Sequence, residues 1–303
     1  MLEKWQLQQR MGQPLDIKIQ MSLARIKAWY DHYDGEVVVS FSGGMDSTVL
    51  LHLVRSVYPE APAMFVKDLP YPEIWDHVQN TENVEVVRPK MTFEQVIKHY
   101  GYPVLSKRLA QYISEVQRSR GETATKRLRL TGIRTDGTHS PMAMISKKWQ
   151  YLCDAPFRIH DMCCDVLKKR PLDLGLQGRG PLLGVRTDEA SWREQTYRLH
   201  GCNGFNLKRP RSWPMAFWTE EDIWEYVHHY NVPYSRIYDM GYRRTGCFAC
   251  MFGVHLEAHP NRFQLMQKTH PGLWRYCQRI GIPEVLDYIG VDYKVVDDGP
   301  GSV

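Results

Sequence analysis

Residues 36–57, EVVVSFSGGMDSTVLLHLVRSV, decide the fold. Glu36 to Phe41 is a short β-branched run, Ser42-Gly43-Gly44 interrupts it, and from Asp46 onward the apolar residues take the pattern of a buried helix. A strand, a glycine turn and a helix in that order open a parallel α/β sheet. The turn, Ser42-Gly43-Gly44-Met45-Asp46-Ser47-Thr48, leaves backbone N–H groups and the positive end of a helix dipole able to hold an anion. Its glycines let the main chain approach phosphate oxygens, and the hydroxyls of Ser42, Ser47 and Thr48 add donors. Asp46 repels phosphate, so its expected place is the helix cap or a Mg²⁺ ion held between phosphates. No lysine follows the second glycine, which excludes the Gly-x4-Gly-Lys-Ser/Thr loop.

The alternation continues on both sides. Ile17, Ile19, Leu23, Ile26 and Trp29 fall near helical spacing and predict an N-terminal helix over 15–31. Ala63–Val66 and Val84–Val87 read as the next strands, Pro72–Val78 and Phe93–Tyr100 as the helices after them, and Leu182–Val185 as a fourth strand. Residues 135–180, rich in Pro, Gly and Lys, read as an irregular insertion between halves of the sheet. Beyond Glu220 the pattern is helical, cut by Pro271 and Pro283. The expected domains are a helical segment over 1–34, a phosphate-loop domain over 35–255, and a helical segment over 256–303 whose tail, Asp297 to Val303, is frayed. With 43% hydrophobic and 24% charged residues in 303, fibrous and low-complexity classes are excluded. No apolar run approaches the roughly 20 residues of a membrane span, and the first residues lack a secretory signal. The expectation is a cytoplasmic protein with no membrane partner. The net charge of +5 suits an anionic ligand. Lys107 to Arg134 is the basic stretch, with Lys107, Arg108, Arg118, Arg120, Lys126, Arg127, Arg129 and Arg134 against Glu115 and Glu122. It reads as a solvated helix and loop or as a surface that tracks nucleic acid.

Seven cysteines in such a compartment are thiols to be explained by ligation, catalysis or burial. Cys163-Cys164 and Cys247-Phe248-Ala249-Cys250 supply four thiolates, enough to close a tetrahedral zinc site or to hold a [4Fe–4S] cluster. The 82 residues between Cys164 and Cys247 mean that only the fold can unite the pairs. Cys277, on a helical stretch, reads as a buried thiol, and Cys153 and Cys202 as buried thiols or persulfide relays. Trp213, Phe217, Trp218, Trp224 and Tyr226 read as core.

Ser-Gly-Gly-x-Asp-Ser after a hydrophobic strand resembles the pyrophosphate loop of the adenine nucleotide α-hydrolase superfamily, whose members cleave ATP between the α and β phosphates. Cys163 to Leu172 is similar to the Cys-Cys-x3-Lys-x2-Pro-Leu segment of the phosphoadenosine-phosphosulfate-reductase-like family. Gly184 to Glu189 with Arg193 resembles that family's Gly-x-Arg-x-x-(Glu/Gln)-Ser-x2-Arg stretch, with Ala190 in place of the serine. Trp218 to Tyr226, and Tyr238-x2-Gly241-Tyr242-x3-Gly246-Cys247, match the run to its second cysteine pair. The likeness covers about residues 16 to 270. It implies an α/β fold with a doubly wound, mostly parallel sheet and helical additions at both ends. It further implies ATP and Mg²⁺ on Ser42, Gly43, Gly44, Met45, Asp46, Ser47 and Thr48, and a [4Fe–4S] cluster, with Zn²⁺ as alternative, on Cys163, Cys164, Cys247 and Cys250. Asp46, Lys168, Arg186 and Arg193 become the catalytic charges around the α-phosphate.

Three departures sort the family's activities. Its reductases carry a Glu-Cys-Gly-Leu-His tail that this sequence does not contain, and they tend to have a degraded phosphate loop, which is intact here. Their Asp-Thr-Gly after the second strand appears as Val66-Lys67-Asp68, where Lys67 reaches a phosphate and Asp68 a ribose hydroxyl, or both form a surface turn. The resemblance therefore implies an ATP pyrophosphatase that adenylates an acceptor for sulfur incorporation, similar to iron–sulfur components of DNA phosphorothioation systems. DNA on Lys107–Arg134 and a cysteine desulfurase as sulfur donor are the implied partners, and the reading leaves open whether the chain forms an oligomer. A reductase of adenylyl sulfate or its 3′-phosphorylated form is the alternative, and a non-catalytic zinc-stapled nucleic-acid-binding protein the second.

Overall fold

In chain order the elements are α1 (Lys4–Met11), α2 (Leu15–His32), β1 (Val37–Ser40), α3 (Met45–Arg55), β2 (Ala63–Val66), α4 (Pro72–Gln79), β3 (Val84–Val87), α5 (Phe93–His99), β4 (Val104–Leu105), α6 (Lys107–Arg118), α7 (Ala124–Thr131), α8 (Arg170–Leu176), β5 (Gly180–Leu183), α9 (Ser191–His200), β6 (Asn203–Gly204), β7 (Arg211–Ser212), α10 (Glu220–Tyr230), β8 (Met251–Phe252), α11 (Arg262–Thr269), α12 (Pro271–Arg279) and α13 (Ile282–Tyr288). The computed structural model describes residues 1–189 and 191–295, so Ala190 and the tail read as frayed, Asp297 to Val303, lie outside the described residues. The chain divides into two compact units, one of residues 1–88, 170–239 and 243–245, the other of residues 89–169, 240–242 and 246–303. Linear boundaries at 34 and 255 do not follow this discontinuous division.

The first unit holds a six-stranded sheet in the order β3-β2-β1-β5-β7-β6, parallel throughout except for the antiparallel β6–β7 pair. Val37, Val38 and Val39 are buried on both faces, as a central parallel strand covered by helices requires. The chain leaves β1 for β2 and β3 on one side and later returns to β5 on the other. In open parallel sheets the crevice beyond the carboxyl ends of such a switch point is where ligands bind. The loops after β1 and β5, Phe41–Gly44 and Gly184–Glu189, start there. On α2 and α10, Lys18 and Asp222 form a buried ion pair at 2.6 Å, and the same carboxylate accepts the Thr219 N–H at the start of α10.

The fourth strand begins at Gly180 rather than Leu182. Gly and Pro argue against a strand, yet Gly180 gives its N–H to Glu36 at 2.8 Å, and successive amides of a parallel strand point to alternate neighbours. The missing N–H of Pro181 therefore faces β7, which pairs with β5 only at Leu182.

The second unit takes in residues 135–169 of the stretch read as an insertion, and residues 170–180 belong to the first. The second begins at Pro89 and contains α5, α6 and α7 with α11, α12 and α13. Within 135–180 the structure is less irregular than its Pro and Gly content suggests. Lys147–Asp154 is 3₁₀-helical and Asp165–Lys169 π-helical. Pro171, lacking an N–H and crowding the preceding turn, is what regular α-helical bonding could not absorb there. Pro271 and Pro283 sit in the first turns of α12 and α13, where proline costs nothing. Among the described residues no helix is long and apolar enough to cross a membrane.

Candidate functional site

The phosphate loop in the first unit is held by its own side chains. Gly43 takes φ +72°, and a Cβ there would stand 2.8 Å from Ile74 Cγ2, so only glycine fits. The Ser47 and Thr48 hydroxyls donate to the Gly44 carbonyl at 2.8 and 3.1 Å, and Ser42 N–H donates to Ser47 Oγ at 3.1 Å. His77 Nε2 lies 3.1 Å from Thr48 Oγ1. With the Thr48 hydrogen on Gly44, the ring nitrogen is the donor in this contact, and burial lowers the pKa of the imidazole. In this structure the hydroxyls of Ser42, Ser47 and Thr48 are engaged within the loop and with His77.

Gly44 is the N-cap of α3 and no side chain caps it, so Asp46 is not a cap. Its Oδ1 accepts from Arg186 Nε at 2.8 Å, and Arg186 Nη1 reaches Asp188 at 2.5 Å. Burial pushes the Asp46 and Asp188 carboxyls above the usual range against the pull of Arg186. Arg193 pairs with Glu189, and its buried Nε has no hydrogen-bond partner among the described residues. Burial lowers the pKa of Arg193, opposed by the charge of Asp46, and Arg244 is close enough to act on it as a like charge. Gly184 lets β5 approach: a Cβ there would stand 2.8 Å from the Asp46 carbonyl oxygen. Of the four expected catalytic charges, Asp46 and Arg186 meet at the first turn of α3, and Arg193, held by Glu189, acts on Asp46 through its charge. Lys168 belongs to the second unit, where its charge acts on Cys164 and Cys250. Lys67 rests its ammonium on the Trp75 ring, 3.4 Å from the centroid.

Tyr238, Thr245 and Arg244 were not singled out by the sequence. They stand inside the Tyr238-to-Cys247 block, which carried meaning there only as a lead to the cysteines. Tyr238 Oη accepts the Met45 N–H at 2.7 Å and lies 3.3 Å from Thr245 Oγ1.

The cysteines gather in the second unit. Tyr102 pairs with Ile159 on one flank, Val104 and Leu105 with Met251 and Phe252 on the other, so this short segment brings the chain leading to Cys163 near the chain leaving Cys250. Cys163 and Cys164 sulfurs are 3.9 Å apart. The Cys163 thiol is pushed up by its hydrogen bond to Cys164, by burial, and by the like charges of Cys164, Cys250 and Cys247. The same hydrogen bond draws Cys164 down to about 6, helped against burial by Lys168, Lys107 and Lys169. All four thiols therefore act on one neighbourhood, although among the described residues no three His, Cys, Asp or Glu side chains form a group that could hold a single metal ion. The donor set, thiols with basic neighbours, fits the chemistry of a thiolate-bound group. Cys202 and Cys277 are buried, with thiols raised by burial to about 11 and about 12, and half-buried Cys153 is raised to about 11. Phe217, Trp218 and Tyr226 are core, as read, while Trp213 and Trp224 are only partly buried.

A mostly parallel sheet with a glycine loop after β1 and Arg186 after β5 defines an α/β protein. The chain belongs to the phosphoadenosine phosphosulfate reductase domain family, whose signature matches residues 36–144 and 138–252. It is similar to the adenosine 5′-phosphosulfate reductase of Anoxybacillus flavithermus, 24% identical over 276 residues, covering 89% of this chain and 97% of that protein. The adenosine 5′-phosphosulfate reductase of Lysinibacillus sphaericus is 25% identical over 248 residues, 80% of this chain and 86% of the relative. Among solved structures, phosphoadenylyl-sulfate reductase from Candida auris gives a TM-score of 0.40 at 14% identity, covering 69% of this chain and 80% of that one.

Proposed function

We propose that this protein cleaves ATP between the α and β phosphates, adenylates an acceptor and so prepares it for sulfur incorporation. The observation that carries the reading is the intact loop at the start of α3 with Asp46 and Arg186 paired at its first turn and the charge of Arg193 acting on Asp46. The acceptor oxygen forms a bond to the α-phosphorus, the bond to the bridging oxygen breaks, and pyrophosphate leaves with the electron pair. The α3 amides and the two arginines stabilise the charge that develops on the α-phosphoryl and leaving oxygens. Asp46, beside them, is the group to hold Mg²⁺ between phosphates. The terminal sulfur of a persulfide carried from a cysteine desulfurase would then attack the activated phosphorus, AMP leaving with the bond's electron pair, and a second thiol would cleave the resulting S–S bond, leaving the sulfur on the acceptor and a disulfide on the carrier. Cys163, Cys164, Cys247 and Cys250 would hold a [4Fe–4S] cluster, which supplies electrostatic or redox chemistry for sulfur. A DNA phosphate is the proposed acceptor, supported by the exposed arginines 108, 118, 120, 127 and 134 of the second unit.

The test is release of AMP and pyrophosphate from ATP and Mg²⁺, with and without duplex DNA. No AMP under either condition would sink the reading. The names of the relatives favour a second one, reduction of adenylyl sulfate. Sulfite formed from adenylyl sulfate with a thiol reductant would promote it.

A further inference from the structure

The loop has no hydroxyl hydrogen left to give. Ser47 and Thr48 donate to the Gly44 carbonyl. With the Ser47 hydrogen so committed, Ser42 is the donor in the 3.0 Å contact between Ser42 Oγ and Ser47 Oγ. Ser42 Oγ in turn accepts the Gly44 N–H at 3.3 Å.

Tyr238 and Thr245 stand on the same glycine from outside the loop. A Cβ on Gly44 would lie 2.8 Å from Thr245 Oγ1 and 3.4 Å from Tyr238 Oη. Tyr238 Oη already accepts the Met45 N–H, so its own hydrogen points away from the helix. The two hydroxyls carry two hydrogens and share one contact, at 3.3 Å. One O–H therefore remains to be donated, and no other acceptor among the described residues takes it. The phenol is held rigidly, with Trp224 and Tyr234 rings edge-on to it. Arg193, whose buried Nε has no partner among the described residues, and Arg244, whose charge acts on it, belong to the same unit.

The geometry points to Tyr238 and Thr245 as phosphate-binding residues: their hydroxyl pair donates to an oxygen of the pyrophosphate group held at Gly44. This rests on the reading that the loop takes ATP, and deepens it by assigning a hydroxyl donor that the loop's own serines and threonine do not supply. A hydrogen bond to a charged oxygen contributes about 1.5 kcal/mol, or roughly tenfold in affinity.

The experiment is calorimetric titration of the full chain, as wild type, Tyr238→Phe and Thr245→Val, with inorganic pyrophosphate and separately with AMP. Both variants should weaken pyrophosphate about tenfold and change AMP less than twofold; Thr245→Val should leave the melting temperature unchanged, while Tyr238→Phe, which also strips the Met45 N–H of its acceptor, should lower it. Unchanged or tighter pyrophosphate binding in both variants overturns the inference, as does an equal loss for both ligands, which marks a structural role. If Tyr238→Phe fails to fold, Thr245→Val decides alone. If wild type binds neither pyrophosphate nor ATP, the proposed function falls and takes the inference with it; if wild type binds and the variants match it, only the inference falls.

Discussion

Under the proposed function, Asp46 would repel a bare phosphate and attract a metal-bound one. Burial raises its pKa above the ordinary carboxylate value while Arg186 opposes that rise. The folded state therefore holds this proton more tightly than the unfolded chain. Ionising the group costs stability as pH rises toward the raised value, and acidification returns it. The same protonation removes a negative charge beside the loop and releases Arg186 from its ion pair. As pH falls through the raised pKa, pyrophosphate affinity without metal should rise while Mg²⁺-dependent AMP release falls. Asp46→Asn should show both effects at neutral pH and lose the acid limb; parallel changes of the two readouts in wild type would refute this. Asp46 and Arg186 were each named from a motif of their own, but their direct ion pair was not: 140 residues separate them, and the adjacency of β1 and β5 joins them.

At the scale of elements, short strands and amphipathic helices were legible because their apolar period is local. Ala63–Val66 and Val84–Val87 form strands at the residues read, and α2 spans Leu15–His32 against the 15–31 expected. The errors fall where glycine or proline has a tertiary reason to be tolerated, at Gly180-Pro181 in β5 and at Pro171 after the π-helical turns. The α2–α10 contact was invisible for a different reason. Lys18 and Asp222 are ordinary surface residues by type, but here they are buried together. Lys18→Met leaves the Asp222 carboxylate buried with only the Thr219 groups, and breaking such a pair costs about 3 kcal/mol or more. Thermal melting should fall clearly, and the double variant Lys18→Met/Asp222→Leu should recover part of the loss. A Lys18→Met protein that melts with wild type would show that the pair contributes nothing.

Across the whole molecule the two proposed chemistries sit in separate units, the phosphate loop with its arginines in one and the thiols in the other. The cluster reading predicts brown protein with broad visible absorption that dithionite bleaches, and loss of the colour in Cys163→Ser or Cys250→Ser. Colourless protein with stoichiometric zinc would assign the other group. For DNA, affinity should fall steeply with salt, and replacing Arg118, Arg120 and Arg127 with Ala should reduce the log–log slope by about 3. A slope unchanged by the triple variant would remove α6 and α7 from the contact. The sequence by itself determined the strand–loop–helix unit and the strands Ala63–Val66 and Val84–Val87, because each is a pattern within a few residues. Only the tertiary structure decided which charges meet at Asp46, that the loop hydroxyls turn inward, and that Tyr238 and Thr245 stand at Gly44. Those outcomes depend on strand order and on donors and acceptors satisfied across long stretches of chain, which no local period records.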